Sequence, residues 1–169
     1  MVPDPISSHP SSTHSATATS ATATSDSPEA TERLAGRLAA VAQPGDVIAL
    51  VGELGAGKTR FAKGFAAGLG VTATVNSPSF VLMSEYPGRL PLFHLDLYRL
   101  VDASDALASG LLDERQRDGV TIVEWAERLG RALPAASLRV WIDGTGDEPR
   151  TIRLTAGAPG LRRYLEALG

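Results

Sequence analysis

The chain contains no cysteine, and this absence excludes several kinds of chemistry. Disulfide bonds, thiolate metal sites, iron–sulfur clusters and thiol nucleophiles all need the cysteine thiol that the sequence lacks. No run of apolar residues approaches the roughly 18 that would indicate a membrane span. The sequence therefore indicates no membrane partner, and it is compatible with a reducing compartment such as the cytoplasm.

Aromatic residues and lysines are also scarce, and neither sign of charge dominates. Aromatics make up 5% of the 169 residues, so the core is expected to consist mainly of Leu, Val, Ile and Ala. The net charge of −3 argues against tight binding of DNA or RNA by charge alone. Only two lysines occur, Lys58 and Lys63, and the other basic residues are arginines. The length predicts one domain rather than two.

The first 27 residues differ in composition from the rest of the chain. Ser, Thr, Ala and Pro dominate this segment, which contains almost no large apolar side chains. Such a segment buries too little apolar surface to offset a backbone entropy cost of roughly 1–2 kcal/mol per residue. The sequence therefore predicts a disordered tail over residues 1–27 and a folded domain over residues 28–169. A weak strand in the Ala-Thr alternation at residues 16–24 is the alternative.

Hydrophobic periodicity predicts alternating helices and strands after the tail. Ser27 can cap a helix that begins at Pro28, and Leu34, Leu38 and Val41 follow at helical spacing. The alternation predicts an α/β fold with a mixed, mostly parallel sheet flanked by helices. Strands are expected at residues 46–51, 79–85, 90–98, 119–125, 138–143 and 151–155, and further helices after residue 59 and at 102–118, 127–133 and 161–168.

The sequence G-E-L-G-A-G-K-T at residues 52–59 lies between a predicted strand and a predicted helix. It fits the phosphate-binding pattern G-x-x-x-x-G-K-[ST] in the context that this pattern requires. The glycines let several backbone N–H groups surround one concavity, and the helix directs its positive end to the same place. Lys58 can bind the β- and γ-phosphates, and the Thr59 hydroxyl can bind Mg²⁺. A glycine-rich turn with an incidental lysine is the alternative.

Three acidic residues are candidates for the metal and the attacking water. Glu124 ends the apolar run at residues 120–123 and resembles a Walker B acid, although an exposed acid at a strand end also fits. Asp96 shares one face of its strand with His94 and Tyr98, which indicates either a polar site or the solvated face of an edge strand. Glu53 lies inside the loop, where phosphate charge would repel its carboxylate, so its side chain is expected to point outward.

The segment Ser77-Pro78-Ser79-Phe80 follows the predicted second helix. Hydroxyl groups at this position are typical of a switch segment that senses the γ-phosphate. An ordinary turn fits the same residues equally well.

The order of these motifs resembles the bacterial TsaE (YjeE) family. G-x-L-G-A-G-K-T, S-P-S-F, H-x-D-x-Y-R-L and V-E-W follow one another within residues 30–143, with Ser79 where the family usually has threonine. The resemblance implies a single P-loop α/β domain with ATP and Mg²⁺ as cofactors. It implies metal ligands at Thr59 and Glu124, catalytic roles for Lys58, Asp96 and Glu124, and switch roles for Ser77, Ser79, His94 and Asp96. The implied nucleotide-binding residues are Thr31, Gly52, Glu53, Leu54, Gly55, Ala56, Gly57, Lys58, Thr59, Trp125, Glu127 and Arg150.

The resemblance also implies a function that depends on partners. TsaE proteins are the ATPase components of tRNA threonylcarbamoyladenosine biosynthesis in the cytoplasm. They support turnover by the TsaB–TsaD pair, which performs the transfer to adenosine 37, so tRNA would be contacted only through the complex. Whether Asp96 or Glu124 positions the attacking water stays open. The alternatives are a small-molecule P-loop kinase, with Arg115 and Arg117 in a lid, and a nucleotide-sensing scaffold without significant hydrolysis.

Overall fold

The fold is a seven-stranded mixed sheet with helices packed against it. A computed structural model describes residues 19–102, 104–105 and 113–169. Its strands are β1 Ser20–Ser25, β2 Val47–Val51, β3 Met83–Tyr86, β4 Leu92–Asp96, β5 Val120–Glu124, β6 Leu138–Asp143 and β7 Arg150–Ala156. Its α-helices are α1 Pro28–Ala39, α2 Lys58–Gly68 and α3 Arg162–Leu168, and 3₁₀ helices span Glu114–Asp118, Ala126–Ala132 and Pro159–Leu161. Every helix in the described ranges is too short or too polar to cross a bilayer.

The strand order is β1-β7-β6-β2-β5-β4-β3. The four central strands β6, β2, β5 and β4 pair in parallel. The outer pairings, β1 with β7, β7 with β6 and β3 with β4, are antiparallel. The predicted mixed α/β architecture is therefore confirmed. The expected predominance of parallel pairing is not found, because three of the six strand pairings, those at the two ends of the sheet, are antiparallel.

The main core lies between the sheet and the three α-helices. Leu34 and Leu38 of α1 and Phe61 and Phe65 of α2 are buried against Ile48 and its neighbours in the sheet. The 3₁₀ helix Ala126–Ala132 covers the opposite face, where a smaller apolar cluster forms. Because β2 is covered on both faces, its carboxyl end and the loop that follows have a rigid support.

The N-terminal boundary of the folded domain differs from the prediction. Residues 20–25, expected in the disordered tail, form β1, whose backbone pairs with β7 from Ser20–Thr155 to Ser25–Arg150. Ala21 and Ala23 pack against the core, and Ser25 is buried. Cross-strand hydrogen bonds and the burial of one face of β1 offset the entropy cost of ordering these residues. The prediction from composition did not include these two contributions. Residues 1–18 of the predicted tail lie outside the described residues.

Two further predicted elements differ in detail. The strand expected at residues 79–85 is Met83–Tyr86 instead, because Val81 and Leu82 donate to the Pro78 carbonyl in a turn. Leu82 completes this turn with a φ of 65°. In the stretch predicted to hold short helices, Glu114–Asp118 is a 3₁₀ helix, and residues 103 and 106–112 lie outside the described residues.

Deleting β1 is expected to destabilise the domain. A chain without residues 1–27 exposes the backbone edge of β7 and removes the N-terminal cap of α1, where Ser27 accepts from the Ala30 amide. Loss of such a cap alone costs about 1 kcal/mol. Thermal unfolding measures the effect, with deletion of residues 1–18 as the matched control. Equal melting temperatures for the two truncations would show that β1 adds nothing to stability.

A buried carboxylate joins the C-terminal helix to the sheet. Asp46 Oδ2 accepts from the Gln43 amide at 2.9 Å, from Tyr164 Oη at 2.5 Å and from Arg163 Nη2. Burial, and next the hydrogen bond to Asp46, raise the pKa of Tyr164 above the 10.0 of a free tyrosine. The neutral phenol is therefore the form that the fold stabilises.

Tyr164→Phe is expected to lower the free energy of unfolding at neutral pH by about 1–2 kcal/mol, because the buried carboxylate loses a donor. The unfolded tyrosine ionises at lower pH than the folded one. This contribution is therefore present below about pH 10 and is lost as the pH rises above it. Urea unfolding at pH 7 and pH 10.5 measures the change, and Tyr86→Phe is the control. An identical alkaline decline in wild type and Tyr164→Phe would refute the assignment.

Candidate functional site

The loop at residues 52–59 joins β2 to α2, as its sequence context predicts. Gly57 adopts a φ of 108° as the N-cap of α2. At Gly52 a methyl group would lie 2.6 Å from the carbonyl oxygen of Ile142 in β6, so a side chain does not fit. These two glycines allow the loop to turn sharply at the carboxyl end of the parallel strands. The positive end of the α2 dipole faces the same region, which favours an anion.

Lys58 is a buried cation at the first turn of α2. Its Nζ donates to the carbonyl oxygens of Gly52 at 2.5 Å and Glu53 at 2.8 Å, and it lies 3.9 Å from the ring centroid of Trp125. Burial lowers the pKa of Lys58, and the negative charges of Glu124, Glu127 and Asp96 act in the opposite direction. Among the described residues Lys58 forms no salt bridge, so its charge stays available to an incoming anion.

Thr59 and Glu124 contact each other across the loop. Thr59 Oγ1 donates to the two carboxylate oxygens of Glu124 at 3.0 and 3.1 Å. Glu124 ends β5, which pairs with β2, so the sheet register brings this acid beside the loop. The alternative that Glu124 is an exposed acid does not hold, because only 3% of it is exposed.

The donor chemistry of this pair fits Mg²⁺. A hydroxyl and a carboxylate are the hard oxygen ligands that this ion prefers, and Mg²⁺ usually takes its remaining ligands from water and phosphate. Within residues 19–102, 104–105 and 113–169, no group of three or more His, Cys, Asp or Glu side chains could hold a metal by itself. Thr59 and Glu124 would therefore hold the ion together with a phosphate ligand.

Glu124 and Asp96 are supported by neighbouring polar side chains. His94 is fully buried, and its Nε2 lies 2.8 Å from Glu124 Oε1. Asp96 Oδ2 accepts from Ser79 at 2.9 Å and also from Ser77. Because β4 is covered by β3 and its five residues are buried, the alternative of a solvated edge strand is excluded. The segment of residues 77–80 thus contacts the predicted switch acid directly.

Two cavities meet at the loop and share Gly55, Gly57 and Arg60. The one beside the first helix, here the α1 cavity, has a volume of about 360 Å³ and is lined by Ser25–Pro28, Thr31, Gly55–Gly57, Arg60, Gly146–Glu148 and Arg150. The other, here the Lys58 cavity, has a volume of about 500 Å³ and is lined by Leu54, Gly55, Gly57–Arg60, Ser77, Ser79, Phe80, Asp96, Tyr98, Arg99, Glu124 and Trp125. The Lys58 cavity contains Lys58 and the Thr59–Glu124 pair, and the α1 cavity contains Thr31 and Arg150.

The remaining predicted residues lie around these cavities or just outside them. Arg150 donates to the carbonyl oxygens of Ala56 at 3.0 Å and Gly55 at 3.3 Å, which holds the loop from its outer side. Thr31 is buried and hydrogen-bonds to Ser25 at 2.7 Å. The side chains of Glu53 and Glu127 are exposed and line neither cavity. Glu127 therefore reaches the site only through its charge near Lys58.

Several cavity residues were not predicted from the sequence. Ser25 and Asp26 were assigned to the tail, and the pairing of β1 with β7 that places them is a long-range feature. Arg60 directly follows the loop at residues 52–59, and Arg99 is the arginine of the H-x-D-x-Y-R-L motif, so their position in the chain could have drawn attention to them. The sequence predicts a turn at residues 144–149 between the last two strands, but it does not indicate that residues 146–148 line a cavity beside the loop.

Comparisons with known proteins confirm the family resemblance. Residues 25–152 match the family model described as "Threonylcarbamoyl adenosine biosynthesis protein TsaE". The tRNA threonylcarbamoyladenosine biosynthesis protein TsaE of Bacillus subtilis is 49% identical over 131 residues, covering 77% of this chain and 82% of the relative. The protein with the same description from Streptomyces coelicolor is 40% identical over 129 residues, covering 72% and 87%.

A solved structure has the same fold. The crystal structure of Bacillus subtilis YdiB superposes with a TM-score of 0.75 at 40% identity, covering 88% of this chain and 93% of the other.

Proposed function

The chain belongs to the TsaE family of threonylcarbamoyl adenosine biosynthesis proteins, and we propose that it is the Mg²⁺-dependent ATPase of that pathway. In this proposal it acts in the cytoplasm with TsaB and TsaD, and it supports their modification of adenosine 37 in tRNA. One observation carries the proposal: a buried, unneutralised Lys58 lies beside the Thr59–Glu124 pair at the amino end of a helix.

The two cavities divide ATP between them. The triphosphate would occupy the Lys58 cavity, and the nucleoside would lie in the α1 cavity beside Thr31. Lys58 would exchange its two carbonyl acceptors for phosphate oxygens, which form stronger charge-assisted hydrogen bonds. Arg150 would keep the Gly55 and Ala56 carbonyls turned away from the phosphates by holding them from outside. The loop would thus act as a P-loop without a large rearrangement.

Thr59 and Glu124 would hold Mg²⁺. The ion, when bound, would neutralise phosphate charge and orient the phosphate oxygens. The Nε2 contact of His94 would keep the Glu124 carboxylate in place for this purpose. Because Glu124 would hold the metal with Thr59, Asp96, which contacts Ser79, is the acid left to orient the attacking water.

The overall charge of the chain agrees with a dependence on partners. A net charge of −3 and the absence of a basic field argue that tRNA is held by the partners rather than by this protein. The family name places the chain in the pathway, and TsaB and TsaD are the partners that the resemblance implies.

A small-molecule kinase is less well supported by the geometry. Its lid arginines would be Arg115 and Arg117, but Arg115 contacts Glu85 and Asp113 at 3.7 Å, and Arg117 contacts Glu114 at 4.0 Å. Neither arginine lines the α1 cavity or the Lys58 cavity. These residues therefore offer no acceptor-site lid.

Phosphate release from ATP tests the proposal. The full chain is assayed with Mg²⁺, with and without equimolar TsaB and TsaD, and ADP formation is followed in parallel. Release that rises when both partners are added is expected. Transfer of phosphate to a metabolite without a response to the partners would identify a kinase. Binding of ATP with no release in any mixture would identify a nucleotide-sensing scaffold.

A further inference from the structure

Arg99 is a cation in the wall of the Lys58 cavity that lacks a polar partner among the described residues. Its guanidinium lies 4.3 Å from the ring centroid of Phe80, and it forms no hydrogen bond or salt bridge in the part of the chain that the structure describes. Phosphoryl transfer develops negative charge in such a cavity, and a guanidinium can bind two phosphate oxygens at once. Arg99 is exposed, so its guanidinium is free to reorient toward such a ligand.

The other arginines of the two cavities are already engaged. Arg60 forms a salt bridge with Glu32 at 2.9 Å, and Arg150 donates to the carbonyls of Gly55 and Ala56. Arg128, on the neighbouring 3₁₀ helix, donates to the Leu100 carbonyl at 2.7 Å. Arg99 is therefore the one of these four whose five N–H donors stay unused within residues 19–102, 104–105 and 113–169.

The backbone that carries Arg99 is tied to both acids of the site. The Leu97 amide donates to the Glu124 carbonyl at 3.2 Å, and the Tyr98 amide donates to Asp96 Oδ1 at 2.9 Å. The Leu100 amide closes the turn on the Leu97 carbonyl at 3.1 Å. Arg99 thus projects from a turn tied to both acids into the wall of the Lys58 cavity, where its side chain can reorient by changing its own torsions.

The contact between Arg99 and Phe80 is weak enough to break when a ligand binds. The ring is 85% exposed, and cation–π contacts at exposed sites contribute only about 0.5–1 kcal/mol. Phe80 directly follows Ser79, which donates to Asp96. A shift of residues 77–80 toward a bound triphosphate would therefore disturb the Arg99–Phe80 contact at the same time.

We propose that Arg99 is a catalytic residue that leaves Phe80 and binds the transferring γ-phosphoryl group, acting as an arginine finger supplied by the chain itself. This inference rests on the proposed ATPase function. In the step, the water oxygen bonds to the γ-phosphorus and the bond from that phosphorus to the β,γ-bridging oxygen breaks. The electron pair leaves on ADP, and the water protons end on the released phosphate and in solvent. Arg99 stabilises the charge that accumulates on the γ-phosphoryl oxygens during this exchange.

The test compares wild type with Arg99→Ala, Arg99→Lys and the control Arg115→Ala. Arg115 is also exposed, and it lines neither the α1 nor the Lys58 cavity. Arg99→Ala should lower kcat by roughly 100-fold or more, with KM for ATP and Kd for ADP within about threefold of wild type. Arg99→Lys should recover only a small part of the lost kcat, because an ammonium group lacks the planar guanidinium that binds two oxygens at once. Arg115→Ala should match wild type.

Binding of ADP with aluminium fluoride, a mimic of the transferring phosphoryl group, gives a second readout without turnover. Arg99→Ala should lose most of this affinity while it keeps its ADP affinity and its melting temperature. A kcat in Arg99→Ala within threefold of wild type would overturn the role of Arg99 alone. Equal losses of ADP and ADP–aluminium fluoride affinity would overturn it as well, since they would mark a ground-state contact. Wild-type protein that releases no phosphate even with TsaB and TsaD present would overturn both the ATPase function and the role of Arg99.

Discussion

Replacing Lys58 with alanine is expected to remove most ATP affinity and all measurable ATP hydrolysis. Lys58 is the buried cation of the proposed phosphate site, and alanine leaves the loop carbonyls of Gly52 and Glu53 without their partner. Carbonyl oxygens repel phosphate. Loss of one hydrogen bond to a charged group costs about 1.5–3 kcal/mol, which corresponds to roughly a 10- to 100-fold loss of affinity. Hydrolysis should fall further, because the transition state carries more charge on the transferring group.

Calorimetric titration of ATP and a phosphate-release assay measure the two effects. Lys63→Ala is the matched control, since Lys63 is the other lysine of the chain and belongs to the same helix. Lys63 lines a separate small cavity away from the loop, so its replacement should leave ATP binding unchanged. ATP affinity in Lys58→Ala equal to that of Lys63→Ala would place the nucleotide elsewhere.

Replacing Glu124 with glutamine is expected to separate binding from hydrolysis. Glutamine keeps the shape of the side chain and one oxygen acceptor for Thr59, but it removes the negative charge that would hold the metal. Hydrolysis should fall by roughly 100-fold or more, in line with the loss of a preorganised charge in a closed site. ATP affinity should stay within about threefold, since one negative charge fewer beside the phosphates offsets the weaker metal contact.

The measurement for Glu124→Gln is a Mg²⁺ titration of the phosphate-release rate, together with ATP binding by calorimetry. Glu114→Gln is the control, because the Glu114 side chain is 90% exposed and remote from the loop. The Glu124 variant should need more Mg²⁺ for half-maximal rate. A normal rate at the wild-type Mg²⁺ requirement would remove Glu124 from the metal site.

The parts of the site that the sequence predicted are those fixed by residues close together in the chain. The loop at residues 52–59 needs only its own glycines and the flanking strand and helix, so its position followed from local pattern. The neighbourhood of Glu124 and Thr59 also followed, because strands that end in polar residues deliver them to one edge of a parallel sheet. The fold class depended on the same alternation of apolar runs.

The parts that could not be predicted depend on distant pairing or on side-chain geometry. β1 carries only small side chains, so its apolar signal is weak, and its partner β7 lies more than a hundred residues away. Placing Ser25 and Asp26 beside the loop required that pairing. The contact of Arg99 with Phe80 depends on the side-chain torsion angles of both residues, which cannot be predicted from composition or periodicity.

The pairing of β1 with β7 has a consequence for how the chain is made. Ser25 faces Arg150, 125 residues later, and a ribosome adding roughly 5–20 residues per second needs about 6–25 s to cover that interval. Throughout this time the segment has no strand to join. Long apolar strands left unpaired in a nascent chain tend to aggregate, whereas six residues of Ser, Ala and Thr offer a neighbouring chain little to bind. The small polar and alanine side chains that make β1 hard to predict from the sequence thus also lower the risk that it aggregates before β7 has been synthesised.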